Sequence, residues 1–395
     1  MIDTGLAVAG VVLSCLVYMT SIAKPPPASP EESAKYKPYH DVDAGGYHKT
    51  KWWYEEEENE VLVQGKDPTV KNHVALVTGG NSGIGRAVAL ELCKLGVGTV
   101  VITSRSQKRG QAAAQEMIAD GSCQSNQIHS MELDLADFDN VRAFATDFLE
   151  KHDRLNYFVE NAGGIIIPGS YSGPYRNKEG IESLYAGNYL GHFLLLNLLL
   201  EVVESSSPSR ISLTSSIANW GATENVTSLL PVAGSDARKS QEENDSLAAP
   251  FQQYSNTKFL QVAMAFELQR RLNDSGSRIT ITPTAPGFIN TDIGSMDRDK
   301  KPGLVPPIAR NPKAGAETTL HALFSKSMEG KQGYFVQPYW SPLHQSPPPG
   351  LLGFFSVLLW EPLFQRVTWG CHLWLPNPRA HDREFQKQLW EESLE

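Results

Sequence analysis

The stretch "ALVTGGNSGIGRAVALELCKLG", residues 75–96, decides the fold. An apolar run ends in Thr78, then Gly79, Gly83 and Gly85 fall within seven residues, and an amphipathic segment follows at once. The pattern reads as a strand, a tight turn and a helix. A helix that starts directly after a strand leaves N–H groups free at its N-terminus, and residues without a Cβ let a pyrophosphate approach them closely. The three glycines therefore predict a dinucleotide site.

Outward from this turn, strand-like runs alternate with helical patterns. Strands are predicted near 74–78, 99–104, 129–134, 157–160, 210–214 and 278–282, and helices near 86–95, 108–119, 138–151, 182–203, 252–272 and 314–327. Such alternation implies an α/β fold, a Rossmann-type doubly wound parallel sheet with ligands at the carboxyl ends of its strands. A single catalytic domain is expected over 71–340, after a membrane anchor at 1–24 and a Pro- and charge-rich linker at 25–70. A hydrophobic C-terminal extension occupies 341–395.

A carboxylate for the ribose of NAD would be expected about 20 residues past the turn. The second strand ends instead in Ser104 and Arg105, with Lys108 and Arg109 close behind. An Arg pairs with a 2′-phosphate that a carboxylate would repel, so the expected cofactor is NADP(H).

With 395 residues, 41% of them hydrophobic, the chain can bury a full core. Its formal net charge of -9 and lack of a basic stripe argue against nucleic acid as a partner. The cysteines at 15, 93, 123 and 371 have neither CxxC nor Cys/His spacing. No metal site and no disulfide framework are suggested, and buried or incidental thiols are expected. His192 reads as a packed or capping histidine.

Residues 5–23 form an apolar run, and about 20 residues at about 1.5 Å rise cross a hydrocarbon layer of about 30 Å. Asp3 precedes the run without a Lys or Arg, which favours a retained anchor over a cleaved signal peptide. Lys24, Lys35 and Lys37 lie just after it and place the remainder on the cytosolic side, with the endoplasmic reticulum as the expected membrane. Near the other end, Leu351 to Leu359 is too short to span. With Trp360, Arg366, Trp369 and Trp374 it suits either an interfacial position or a cover over a substrate pocket.

Tyr254 and Lys258 stand four residues apart, so on a helix both rise from one face. A neighbouring ammonium favours the phenolate and holds a tyrosine below its ordinary value near about 10, making Tyr254 a usable proton donor and acceptor. Ser216 closes the strand-like "RISLTSS" and is placed to hydrogen-bond a reacting oxygen, with Ser215 as the adjacent candidate.

Taken in order, "TGGNSGIG", "LDL" at 133–135, "ENAGG" at 160–164, "GNYLGHF" at 187–193, "SLTSS" at 212–216, "YSNTK" at 254–258 and "PGFINTDI" at 286–293 resemble the short-chain dehydrogenase/reductase family over roughly residues 71 to 340. Within it, "NYLGHFLLLNLLL" and "GAETTLHALF" are most similar to the retinol dehydrogenase and protochlorophyllide reductase-like branch. The resemblance favours Ser216 over Ser215 and gives Asn188 the task of steadying a water between the lysine and solvent. It implies that Gly79, Asn81, Ser82, Gly83, Ile84 and Gly85 surround the pyrophosphate, with Arg105 on the adenosine 2′-phosphate. By the same resemblance Asp134, with Leu135, receives the adenine amino group, and Asn161, Ala162 and Gly163 line the ribose. Tyr254 and Lys258 also touch the cofactor, and Pro286, Gly287 and Thr291 hold the carboxamide.

The family reading is an oxidoreductase that interconverts an alcohol and a carbonyl on a lipophilic substrate such as a retinoid or sterol. Its partners are that substrate and membrane lipid, and a homo-oligomer is compatible with it. The alternative is a catalytically idle NADP(H)-binding scaffold at a membrane. The stretch between Ser216 and Tyr254 is longer than the family spacing, which weakens inference about the substrate. Asn225, Asn244 and Asn273 stand in glycosylation sequons that matter only on a lumenal domain.

Overall fold

In a computed structural model of the protein, residues 70–165, 176–216, 249–287, 311–325, 335–338, 371–374 and 378–394 are described, with positions 218, 219, 222, 289 and 328. The six expected strands form as β1 (Val74–Val77), β2 (Thr99–Ser104), β3 (Ile128–Glu132), β4 (Tyr157–Glu160), β5 (Arg210–Thr214) and β6 (Thr280–Thr284). The expected strand at 278–282 sits two residues further on. Two strands that the sequence did not announce, β7 (Phe335–Pro338) and β8 (Cys371–Trp374), complete one sheet. Its order is β3-β2-β1-β4-β5-β6-β7-β8, parallel throughout except for β8, which runs antiparallel to β7.

Every residue of β1 and β4 is buried, as central parallel strands covered on both faces require. Alternation then sorts the side chains. Leu76 and Phe158 face a core made with α3 (Phe138–Lys151), α4 (Ser183–Ser205) and α5 (Ala249–Asp274). Val77 and Val159 face a second core made with α1 (Gly83–Lys94), α2 (Gln107–Ala119) and α6 (Pro312–Phe324). The chain leaves β1 and β4 towards opposite sides of the sheet, which opens a crevice beyond their carboxyl ends.

Helix α4 is long and apolar enough to cross a membrane, but it is buried for most of its length as a core element. The anchor expected at 5–23 lies outside the described residues, as do Leu351 to Leu359 and most of the insertion at 217–253. Cys93 and Cys123, expected as thiols, form a disulfide with Cα atoms 5.2 Å apart. The pairing had no sequence signal because it depends on the fold bringing the end of α1 to the loop after α2.

Helix α7 (Arg383–Leu394) adds to the α4 and α5 side of the core. Its Trp390 meets Phe193 edge-on at 5.0 Å, and the Arg271 guanidinium lies 4.8 Å from the Trp390 ring. Phe385 packs on Phe259 at 5.5 Å, and the Tyr189 hydroxyl meets Ser393 Oγ at 2.9 Å. Trp390→Ala is therefore expected to cost about 3 kcal/mol in chemical denaturation, whereas Leu394→Ala, at a position 62% exposed, should stay within about 0.5 kcal/mol.

Candidate active site

The turn after β1 is built against the end of β4. Thr78, fully buried, accepts the N–H groups of Asn161 and Ala162 on its hydroxyl at 2.9 Å each, and its carbonyl accepts the Asn161 side-chain amide at 2.9 Å. Gly79 and Gly83 adopt left-handed φ values of 65° and 55°. A Cβ at Gly85 would press on the Asn161 amide and stand 2.7 Å from the Gly79 carbonyl oxygen. Ser82, at the start of α1, makes no side-chain capping bond, so its hydroxyl does not satisfy the first-turn N–H groups. Asn81 and Ser82 are half-buried, and Ile84 lies 3.0 Å from where a Gly315 Cβ would sit on α6. A side-chain-free approach to uncapped N–H groups fits a pyrophosphate.

At the end of β2, Thr103 Oγ1 accepts the Gly79 N–H at 3.1 Å. Ser104 is buried, while Arg105, Lys108 and Arg109 are exposed around the first turn of α2. Asp134, after β3, is half-buried and accepts the Ala136 N–H at 3.0 Å, and Leu135 is buried beside it.

Helix α5 carries Tyr254 and Lys258 to the other wall of the crevice. The Lys258 amine lies 5.6 Å from the centre of the Tyr254 ring, and Ser216 stands where its hydroxyl favours the Tyr254 phenolate. Ser215 does something else: its hydroxyl donates to the Lys258 carbonyl at 2.7 Å and ties β5 to α5. The amine donates to the Thr214 carbonyl at 2.7 Å and to Gln261 Oε1 at 3.0 Å.

The electrostatics differ from the expectation of a lowered tyrosine. Burial pushes the Tyr254 phenol up to about 12, and the hydrogen bond from Ser216 pulls against it without winning. Lys258 does not overcome this, because burial pulls its own amine down to about 7, with Glu160 pulling it back up. Desolvation dominates both groups.

Asn188 sits in a π-helical turn of α4, Ala186–Leu190, a distortion that recurs at functional sites. Its side-chain oxygen accepts the Gly164 N–H at 3.0 Å, and its amide donates to the Gly164 carbonyl at 3.0 Å and to Thr257 Oγ1 at 3.2 Å. Its carbonyl accepts the Gln261 amide at 2.9 Å. Gln261 thus links Lys258 to Asn188 directly, a bridge that the lysine-to-glutamine spacing of three on a helix would have suggested. A Cβ at Gly163 would lie 3.3 Å from the Lys258 amine and 3.4 Å from Asn188 Oδ1. His192 is a core histidine, held between the Thr78 hydroxyl and the Asn188 carbonyl at 3.1 Å each. After β6, Pro286 is buried and Gly287 turns the chain with φ 83°, while Thr291 lies outside the described residues.

A family model described as short chain dehydrogenase matches residues 73–227. Bovine dehydrogenase/reductase SDR family member 13 is 33% identical over 334 residues, covering 82% of this chain and 73% of its own. The chain belongs to the short chain dehydrogenase family. Mouse retinol dehydrogenase 14 is 32% identical over 289 residues, 69% of this chain and 79% of that one, which places the chain in the retinol dehydrogenase-like branch. A crystal structure of an uncharacterized protein from Mycobacterium Paratuberculosis, 26% identical, superposes with a TM-score of 0.56 over 81% of this chain and 91% of that one.

Membership makes this short chain dehydrogenase an oxidoreductase of alcohols and carbonyls that uses a nicotinamide dinucleotide. Among the described residues no group of His, Cys, Asp and Glu side chains is arranged to hold a metal. Gly85→Ala is expected to weaken binding of the reduced nicotinamide dinucleotide at least about tenfold in a fluorescence titration with the far-ultraviolet spectrum unchanged.

Proposed function

We propose that the protein is a membrane-anchored, NADP(H)-dependent oxidoreductase that interconverts an alcohol and a carbonyl on a lipophilic substrate. The observation that carries this reading is the Lys258 amine 5.6 Å from the centre of the Tyr254 ring, with Ser216, just past β5, favouring the phenolate of the same side chain. When bound, the nicotinamide supplies or accepts the hydride at the reacting carbon. In reduction Tyr254 gives its hydroxyl proton to the substrate oxygen, and Ser216 holds that oxygen by a hydrogen bond. A phenol raised to about 12 is a reluctant donor. The tyrosinate it leaves must be stabilised, by the Ser216 hydroxyl and by whatever charge the Lys258 amine carries. In oxidation Tyr254 takes the proton back.

The exposed Arg105, Lys108 and Arg109, with no acid closing β2, support NADP(H). The apolar runs at 5–23 and 351–359 support a membrane location, and the names of the retinol dehydrogenase relatives support a lipophilic substrate such as a retinoid or sterol. Lys24, Lys35 and Lys37 favour a domain facing the cytosol. One observation favours the lumen instead: the Cys93 to Cys123 disulfide belongs to oxidising compartments. Protease treatment of sealed microsomes separates the two, since a cytosolic domain is digested and carries no glycan at Asn225 or Asn244.

Tyr254→Phe is expected to lower kcat on a panel of lipophilic ketones and aldehydes by about 10² to 10⁴, with NADPH affinity retained. Equal turnover by the variant would overturn the role given to Tyr254, and a parent protein without turnover would favour the idle nucleotide-binding scaffold. Arg105→Ala should weaken NADPH about tenfold and leave NADH unchanged in a paired titration.

A further inference from the structure

Gln261 stands one helical turn beyond Lys258, in a run of α5 from Phe259 to Phe266 whose other members are buried apolar side chains. Gln261 is itself fully buried. An amide in such surroundings is costly unless its oxygen and its nitrogen are both hydrogen-bonded. Both are: the oxygen accepts the Lys258 amine at 3.0 Å, and the nitrogen donates to the Asn188 carbonyl at 2.9 Å. These two partners also decide which way the amide lies. A main-chain carbonyl only accepts, so the nitrogen has to face Asn188 and the oxygen is left facing the amine.

An ammonium has three N–H groups. On Lys258 one goes to the Thr214 carbonyl at 2.7 Å and one to Gln261, and two fixed directions at a tetrahedral nitrogen fix the third. The main chain of the lysine is held as well, since its carbonyl accepts the Ser215 hydroxyl at 2.7 Å. The titratable groups around the amine come from three elements. Tyr254 on α5 is raised to about 12 and His192 on α4 is pulled down to about 4, both by burial. Glu160, closing β4, is pushed up by burial, and neither of its carboxyl oxygens has a hydrogen-bond partner among the described residues. All three are held towards the neutral form. The acceptors that the amine reaches among the described residues are the two uncharged carbonyl groups of Thr214 and Gln261.

We propose that Gln261 is a positioning residue for the reaction: a clasp, oriented by the Asn188 carbonyl, that holds the Lys258 amine as a donor beside Tyr254. It touches no reacting atom and acts through Lys258. The inference rests on the catalytic reading of Tyr254 and Lys258. It predicts the direction of a defect that lost packing would not produce. An acceptor favours the charged form of its donor, and burial has already drawn the Lys258 amine down to about 7. Without the Gln261 oxygen the proton leaves at lower pH, so activity is lost from the alkaline side.

The test uses the full chain with isotope-labelled lysine, the Lys258 signal being assigned by its loss in Lys258→Ala. In Gln261→Met, which keeps the length of the side chain and removes the amide, the titration midpoint of that signal is expected to fall by about one pH unit or more. The alkaline limb of kcat/KM should move down with it, about tenfold in rate at the highest pH, with little change at the acid end. Gln261→Glu keeps an oxygen facing the amine and should hold the midpoint at or above the parent value. Gln261→Asn, too short to reach both partners, replaces the Met variant if that one does not fold. An unmoved lysine midpoint in the folded Met or Asn variant overturns the proposal, even if Tyr254→Phe is inactive. A midpoint that falls as far in Gln261→Glu as in Gln261→Met also overturns it, because the oxygen would then not be what acts. Full activity of Tyr254→Phe would overturn the catalytic reading instead, while the lysine midpoint still reports whether Gln261 holds the amine.

Discussion

The Thr78 hydroxyl is the joint on which the crevice depends. Two strands end side by side at β1 and β4, and the chain departs from them in opposite directions, so main-chain N–H groups at that point have no ladder partner. Thr78 accepts two of them, from Asn161 and Ala162. Its carbonyl anchors the Asn161 amide, which in turn fills the space where a Cβ at Gly85 would intrude. His192 closes the far side of the same hydroxyl and carries the restraint to Asn188. The glycine turn, the end of β4 and the π turn of α4 are thereby one hydrogen-bonded unit.

Behind this unit the interior is unusually ionisable for its dryness. Desolvation acts on Tyr254, Lys258, His192 and Glu160 in the direction of the neutral form in each case, raising the acids and lowering the bases. The side chains that oppose it are few: Ser216 on the phenol, and Glu160 and Lys258 on each other. A site dried in this way spends fold stability to hold its ionisable groups towards their uncharged forms.

Much of this was legible beforehand. The turn at 79–85, six strands and the Tyr254 to Lys258 spacing are local patterns, and each follows from period, glycine placement or helix geometry. What escaped was long-range. Strands β7 and β8 lie beyond the alternating strand and helix pattern that marks the rest of the sheet in sequence. The Cys93 to Cys123 bond and the contact of α7 with α5 depend on which surfaces meet after folding. The tyrosine's expected lowering failed for a related reason, because spacing shows that a lysine is near but not how dry its surroundings are. Glu160 was read only as part of "ENAGG", and nothing in a linear string shows that its carboxyl lacks a partner.

Tyr189 follows Asn188 in the chain, and its hydroxyl is held by Ser393, 204 residues away. The same tail helix grips Arg271 of α5 through Trp390. Changes in the tail would consequently be felt, through these two contacts, by the helices that bear Asn188 and Lys258. A catalogue of variants sorted by distance along the chain would misfile them.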